Sequence, residues 1–441
     1  MNDKLRSGSK DFLPDRSRYY ALTILSLILL SSTFILSSKL KAQGQKDSVV
    51  VLEHADSLVG MEVDGEKARQ LIGHVRLRHV NTIVTCERAI QYLTSNKFSM
   101  DGVVEVHDDT MRLVGMRGMY YPRERIAEAF DRVLLEDQHT VLKSQYAKYY
   151  ANEKKAYFKG NVYVEDTASV VTADEVTYFR EEGKSIAEGN VKILNANNSI
   201  TIYGNHFENY KKINYSIVTD HPKVVQIDTT AKGEKDTLIV TAVLLESYRD
   251  TLERLIATDS VRITRSNLAA ESGACTYFTN LDSIVLRKLP FVWYESGKYQ
   301  DNQVSGESIF IKLKKRRLET VYVRGRAVAI SRADTARIER FNQMTGQEII
   351  LHFADDKIQR VNVISTATSL YYLSDKANPN GMNVTTGDEI RISFTDGKID
   401  KIKAISGVEG KYFPEKMIKG KESDYNLPEF NWREDRPGRK K

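Results

Sequence analysis

Gly73-His74-Val75-Arg76-Leu77, Gly102-Val103-Val104-Glu105-Val106, Asp131-Arg132-Val133-Leu134-Leu135, Gly160-Asn161-Val162-Tyr163-Val164 and Gly189-Asn190-Val191-Lys192-Ile193 begin at intervals of 29 residues. In each, apolar side chains stand two and four places past the Gly or Asp anchor; Arg76, Glu105 and Lys192 lie between them, with Leu134 and Tyr163 as exceptions. Such alternation marks a strand with one buried face. A second feature recurs eighteen and nineteen residues past each anchor: Gln91-Tyr92, Tyr120-Tyr121, Tyr149-Tyr150, Tyr178-Phe179 and Phe207-Glu208. Aromatics at a fixed phase predict stacking between equivalent rings of neighbouring units. A period near 30 residues means stacked repeats. The unit is too short for strand, crossover helix and strand, and it lacks helical periodicity. It predicts an all-β stack with two or three short strands per unit.

Toward the C-terminus the pattern loosens. Apolar pairs continue at Val261/Ile263, Phe291/Trp293 and Ala327/Ala329. Turn residues at 229–234 suggest a seam between two halves, 48–228 and 229–410. In the later half, Gly306, Gly346 and Gly387 each precede an alternating run and are expected to open strands. The last of these leads through Asp396-Gly397 into Ile399 and Ile402, a hairpin pattern. Residues 411–441 are charged and contain Pro, and are expected to form a disordered tail.

Toward the N-terminus, residues 1–18 carry Lys4, Arg6, Lys10, Arg16 and Arg18, and the run from Tyr19 to Ser38 has no charge. Residues 1–42 read as an export signal ending at Ala42, or as a retained membrane anchor oriented positive-inside. Both readings put the rest of the chain outside the cytoplasm. Apolar content of 41% and a formal charge of +6 over 441 residues, with both signs interspersed, argue against disorder and against a nucleic-acid binder. Cys86 and Cys275 are about six repeats apart, ~30 Å at a strand spacing of ~4.8 Å, so both are expected to be free thiols.

Signals for chemistry are weak. The 8 His are scattered, with no His-Glu-x-x-His and no Cys-x-x-Cys, so no metal or cofactor is expected. Asp108-Asp109 and Asp355-Asp356 read as turn residues rather than catalytic pairs. Asp-Ser/Thr pairs such as Asp56-Ser57, Asp166-Thr167 and Asp259-Ser260 start turns, or act as acceptors for O-glycosylation.

The strand starts at Gly73-His74-Val75, Gly160-Asn161-Val162 and Gly189-Asn190-Val191, with Ala173-Asp174-Glu175-Val176-Thr177-Tyr178, resemble the OstA/LptA-like domain of lipopolysaccharide transport. The resemblance is closest over 48–228 and weaker over 229–410, where it suggests a second copy. It implies a long, twisted β-jellyroll, a periplasmic setting and an apolar interior that shelters lipid A acyl chains of lipopolysaccharide. A groove of this kind would favour acyl chains by ~0.8 kcal/mol per buried methylene, with no catalytic residue. The interior lining would be Val75, Leu77, Val104, Val106, Val133, Leu135, Val162, Val164, Val191 and Ile193; the bland alternative is that these are ordinary core residues. Open edges near Val49–Leu58 and Ile390–Ile405 would pair with inner-membrane LptC-like and outer-membrane LptD-like components, or head to tail with another copy. Two other classes stand beside this: a polymerising β-repeat scaffold or adhesin with a dry interior, and an enzyme on a parallel β-helix.

Overall fold

The computed structural model describes residues 49–438, apart from 80–81, 109–110, 137–139, 168, 196–199, 230–234, 296–300, 315–316, 334–338, 355–356, 376–377 and 396–397. The expected export segment, Asp109, Asp355-Asp356 and Asp396-Gly397 therefore lie outside the described residues.

The described strands join into one elongated, 28-stranded antiparallel sheet. Each 29-residue unit supplies two strands, as in Glu66–His79 with Thr82–Tyr92, Lys97–Asp108 with Met111–Tyr121, and Lys155–Glu165 with Ser169–Phe179. The strands are longer than expected, and the first strand of each unit runs through its anchor instead of starting there. Gly306, by contrast, lies two residues before strand Ser308–Lys314, whereas Gly346 and Gly387 lie inside strands Phe341–Ala354 and Asn378–Thr395.

Each anchor is a corner. Gly73 and His74 both have positive φ (77° and 45°), as do Asp131 and Arg132 (61° and 54°), Gly160 and Asn161 (84° and 48°) and Gly189 and Asn190 (74° and 48°). Pairing slips at the same point: Ile72 faces Arg88, but Val75 faces Cys86. The extra residue makes a bulge that turns the strand sharply. Gly suits the first corner position because it has no Cβ to oppose positive φ, and Asp131 takes that role in the third unit. Paired left-handed corners continue at Asp220-His221, Asp259-Ser260, Lys288-Leu289, Gly325-Arg326, Ser365-Thr366 and Ser406-Gly407.

A corner in every second strand divides the sheet into two arms that fold over one another. The first arm ends in the turns at 93–96, 122–125, 151–154 and 180–183, and the second in the opposite loops. Tyr120, at the rim of the first arm, and His79, at the rim of the second, place the hydroxyl 2.9 Å from Nδ1. In a flat sheet these positions would stand about ten residues apart along the strands, or ~33 Å. Tyr294 and Phe353 meet across the arms in the same way, with ring centroids 6.0 Å apart.

The interior between the arms holds the core. Its clusters run from Leu71 to Val104, from Ala129 to Val218 and from Ala257 to Ile392, and Leu245 packs against the last two. Backbone pairing crosses the expected seam without a break, since Lys223–Thr229 pairs with Lys235–Thr241. Equivalent aromatics of neighbouring units do not stack directly, because two strands per unit place them one strand apart. Ala127 pairs with both Tyr120 and Tyr149. On the outer face Lys155 fills the gap, its ammonium 5.3 Å from the Tyr150 ring and 5.7 Å from Phe179.

The residues after Pro414 are not the disordered tail that their charge suggested. Helix Glu415–Ile418 and the segment to Arg436 lie over the outer face of the second arm in the C-terminal half. Ile418 is fully buried against Leu370, Tyr372 and Met382. Trp432 and Phe430 pack on Phe341, with ring centroids 4.7 and 5.2 Å away. Gln303 Nε2 donates to the Arg433 carbonyl at 2.6 Å, and the Arg433 N–H donates back to Gln303 Oε1 at 2.9 Å. Buried partners thus offset the segment's charge: Arg340, 3% exposed, pairs with Glu415 and Glu422 at 2.8 and 3.0 Å. Arg436, within the stretch expected to be disordered, pairs with Glu295. The same cover explains a misplaced pair. Val292 and Tyr294 face inward, while Phe291 and Trp293 lie outside under Arg433, whose guanidinium is 4.8 and 4.7 Å from their rings.

Candidate binding interior

The corner determines which side chains face the interior. Alternation places residues two before and two after each anchor on the same inner side, and the fold brings the two arms together. Of the ten expected lining residues, Val75, Leu77, Val104, Val133, Val162, Val164, Val191 and Ile193 are buried, at 5% exposure or less. Val106 and Leu135, nearer the rim, are half-buried. Together they form the inner face of the second arm.

The inner face of the first arm was not anticipated. It is carried by Leu71, Met100, Ala129, Phe158 and Ala187, each two residues before an anchor and each at 7% exposure or less. The signal was present at the same 29-residue period, but Ala129 and Ala187 are small and stand beside the larger Phe130 and Ile186. On the strands between the corners, Val176 and the small residues Ala89, Ala147 and Ala173 line the interior. A Cβ on Gly118 would lie 3.3 Å from both Met100 Cε and Val104 Cγ1.

The corner's outer side is polar. Asp56 lies between His54 and His74, at 3.2 and 2.9 Å, and the His74 contact holds its carboxyl below the usual range. Asn190 Nδ2 donates to Asp174 Oδ2 at 2.8 Å, and Arg117 pairs with Asp131 at 2.8 Å. These groups are exposed and reciprocally paired. Among the described residues, no group of three or more His, Cys, Asp or Glu could hold a metal ion. Cys86 and Cys275 are free and buried, and burial pushes each thiol up to about 12.

Both ends of the stack carry open edges. Strands Val51–His54 and Ser57–Val63 pair, among the described residues, with Glu66–His79 alone. They expose Val51, Leu52, Leu58 and Val59. At the other end, Lys398–Ile405 and Glu409–Phe413 both pair with Asn378–Thr395. Ile390 therefore belongs to a strand paired on both sides and is fully buried, so the edge begins at Lys398. Among the described residues, no helix is long and apolar enough to cross a membrane.

Residues 47–203 match a family described as OstA-like protein. Residues 141–317 match a family described as LptA/(LptD N-terminal domain) LPS transport protein, a stretch that runs across the expected seam at 228. Comparison with curated proteins finds no match.

Proposed function

Because the chain belongs to the OstA/LptA-like family of lipopolysaccharide transport, we propose that it is a periplasmic bridge protein whose apolar interior carries lipopolysaccharide acyl chains between the membranes. The observation that carries this reading is the apolar lining on both arms, repeated from unit to unit within the core clusters of the stack. Transfer between apolar units then needs no chemistry, because each offers acyl chains a similar environment. The protein acts as a carrier and not as a catalyst. The apolar interior supplies about 0.8 kcal/mol per methylene, enough for a few chains to bind firmly. Contacts between the rims, such as Tyr120 to His79, would have to open to admit a ligand from the side. The exposed strands at the two ends receive related β-jellyroll domains of inner- and outer-membrane components by backbone pairing. We read 48–228 and 229–410 as two copies of one domain, supported by the change of core cluster between Val218 and Ala257.

The side-chain-filled interior also suits a dry structural scaffold, so the test must separate the two. Photocrosslinking probes at Val104, Val162 and Ile193, with Glu105 and Lys192 as outward controls, are expected to label lipopolysaccharide from the first set alone. Absence of labelling from all five positions in folded, exported protein would leave the scaffold as the better reading.

A further inference from the structure

Midway along the stack the inner face turns polar on both arms. On the first arm, Tyr178, Ser185, Asn209, Ser216 and Ser247 pair in succession across neighbouring strands. Alternation points them inward, in line with Val176, Ala187, Phe207 and Val218 two residues away on their own strands. Ser185, Asn209, Ser216 and Ser247 are 7% exposed or less. Arg249 continues this direction two residues past Ser247, with its backbone N–H on the Asn214 carbonyl at 3.0 Å. On the second arm, Ser169 and Asn195 end the inner rows at 1% and 5% exposure, and the Ser169 N–H donates to Asp166 Oδ1 at 2.8 Å.

Two polar atoms in this mouth are buried without a hydrogen-bond partner: Nη2 of Arg249 and the hydroxyl of Ser169. Buried donors left without an acceptor are costly, so a place that holds two of them suits an acceptor-rich ligand. Desolvation pushes the Arg249 guanidinium down to about 10, while Glu253 and Asp166 pull it back up. Asp166 therefore acts on Arg249 while also holding the backbone of Ser169, which ties the two donors to one locality. Leu255, the next inner residue along the row from Ser247, is 36% exposed, so the interior reaches solvent beside Arg249.

We propose that this mouth binds the phosphate monoester of an amphiphile whose acyl chains occupy the apolar interior, with Arg249 and the Ser169 hydroxyl as donors. This rests on the carrier reading above. A guanidinium fork matches phosphate oxygens in a way that an isolated ammonium does not. The negative charges of Glu253 and Asp166 act on the same guanidinium and oppose a bound phosphate, which favours release.

The test uses the full exported chain with diphosphoryl lipid A, fully dephosphorylated lipid A and inorganic phosphate as probes. R249Q and S169A are expected to weaken binding of the diphosphoryl form, R249Q by about tenfold, and to leave the dephosphorylated form unchanged. Equal loss for both forms, or loss for neither, would overturn the site. Saturable micromolar binding of inorganic phosphate alone, abolished by R249Q, would overturn the headgroup assignment in favour of a free anion. Failure of the wild type to bind either lipid would sink the carrier reading itself, a distinguishable result. Should R249Q not fold, S169A carries the same comparison.

Discussion

Replacing Arg340 with Leu should loosen the C-terminal segment without unfolding the sheet. Arg340 donates to Glu415 at 3.1 and 2.8 Å and to Glu422 at 3.0 Å. Glu422 is 7% exposed, and its other oxygen accepts the Gly420 N–H at 2.8 Å. Removing the guanidinium leaves that carboxylate buried opposite no cation, a loss of ~3–5 kcal/mol while the segment stays docked. Undocking caps the loss, because it rehydrates Glu422 at the cost of exposing fully buried Ile418, about 1.5–3 kcal/mol, and the partly buried Phe430 and Trp432. A net shift of about 3 kcal/mol toward the undocked state corresponds to ~10²-fold. Cleavage within 414–436 should therefore speed up by about that factor when opening is fast relative to cleavage. The 2 tryptophans of the chain, Trp293 beneath the segment and Trp432 within it, should red-shift at lower urea than in the wild type. Acid should act the same way. Burial alone would raise the Glu422 carboxyl, but backbone donors and Arg340 hold it below its ordinary 4.5. A carboxyl lower in the folded state stabilises fully above its unfolded pKa, and that contribution is lost as pH falls through the folded value. The wild-type segment should thus loosen below pH 4.5. A change in cleavage rate of less than threefold in R340L, with an unshifted urea profile, would refute the reasoning.

Two other perturbations probe the corners and the core. G189A places a Cβ 2.9 Å from Asp174 Cβ at φ +74°, so it should cost about 2 kcal/mol in urea unfolding, and D174G should relieve part of it; equal cost in both backgrounds would refute the crowding. Cys86 and Cys275, with thiols held near 12, should alkylate at least ~10³-fold more slowly in folded than in unfolded protein at pH 8, and rapid native labelling of either would contradict their burial.

The first half of the stack was legible because a narrow choice of residues repeats at each corner. Gly or Asp at the first corner position, with Val two places on, announced both the strand phase and the second arm of the interior. Past Asp220 the corners persist, but Asp259-Ser260, Lys288-Leu289 and Ser365-Thr366 fill them, and no composition marks them. Alternation also failed where both faces are covered. Phe291 to Tyr294 are all buried, so period two carries no phase there, and the cover comes from a segment about 140 residues away whose charge suggested disorder. The polar mouth was hidden for another reason: Ser185, Asn209 and Ser216 look like surface residues until the fold places the opposite arm over them.

The paired left-handed corner is specified within each unit by its own two residues and the strand beside it. A corner does not depend on how many others precede it, so the chain can be lengthened or shortened by whole units. Removing 29 residues, such as 131–159, would delete two strands and shorten the stack by ~9.6 Å at a strand spacing of ~4.8 Å, while every remaining corner keeps its register. Such a molecule is a ruler graduated in steps of two strands, and its reach across a gap is set by the number of units in its sequence.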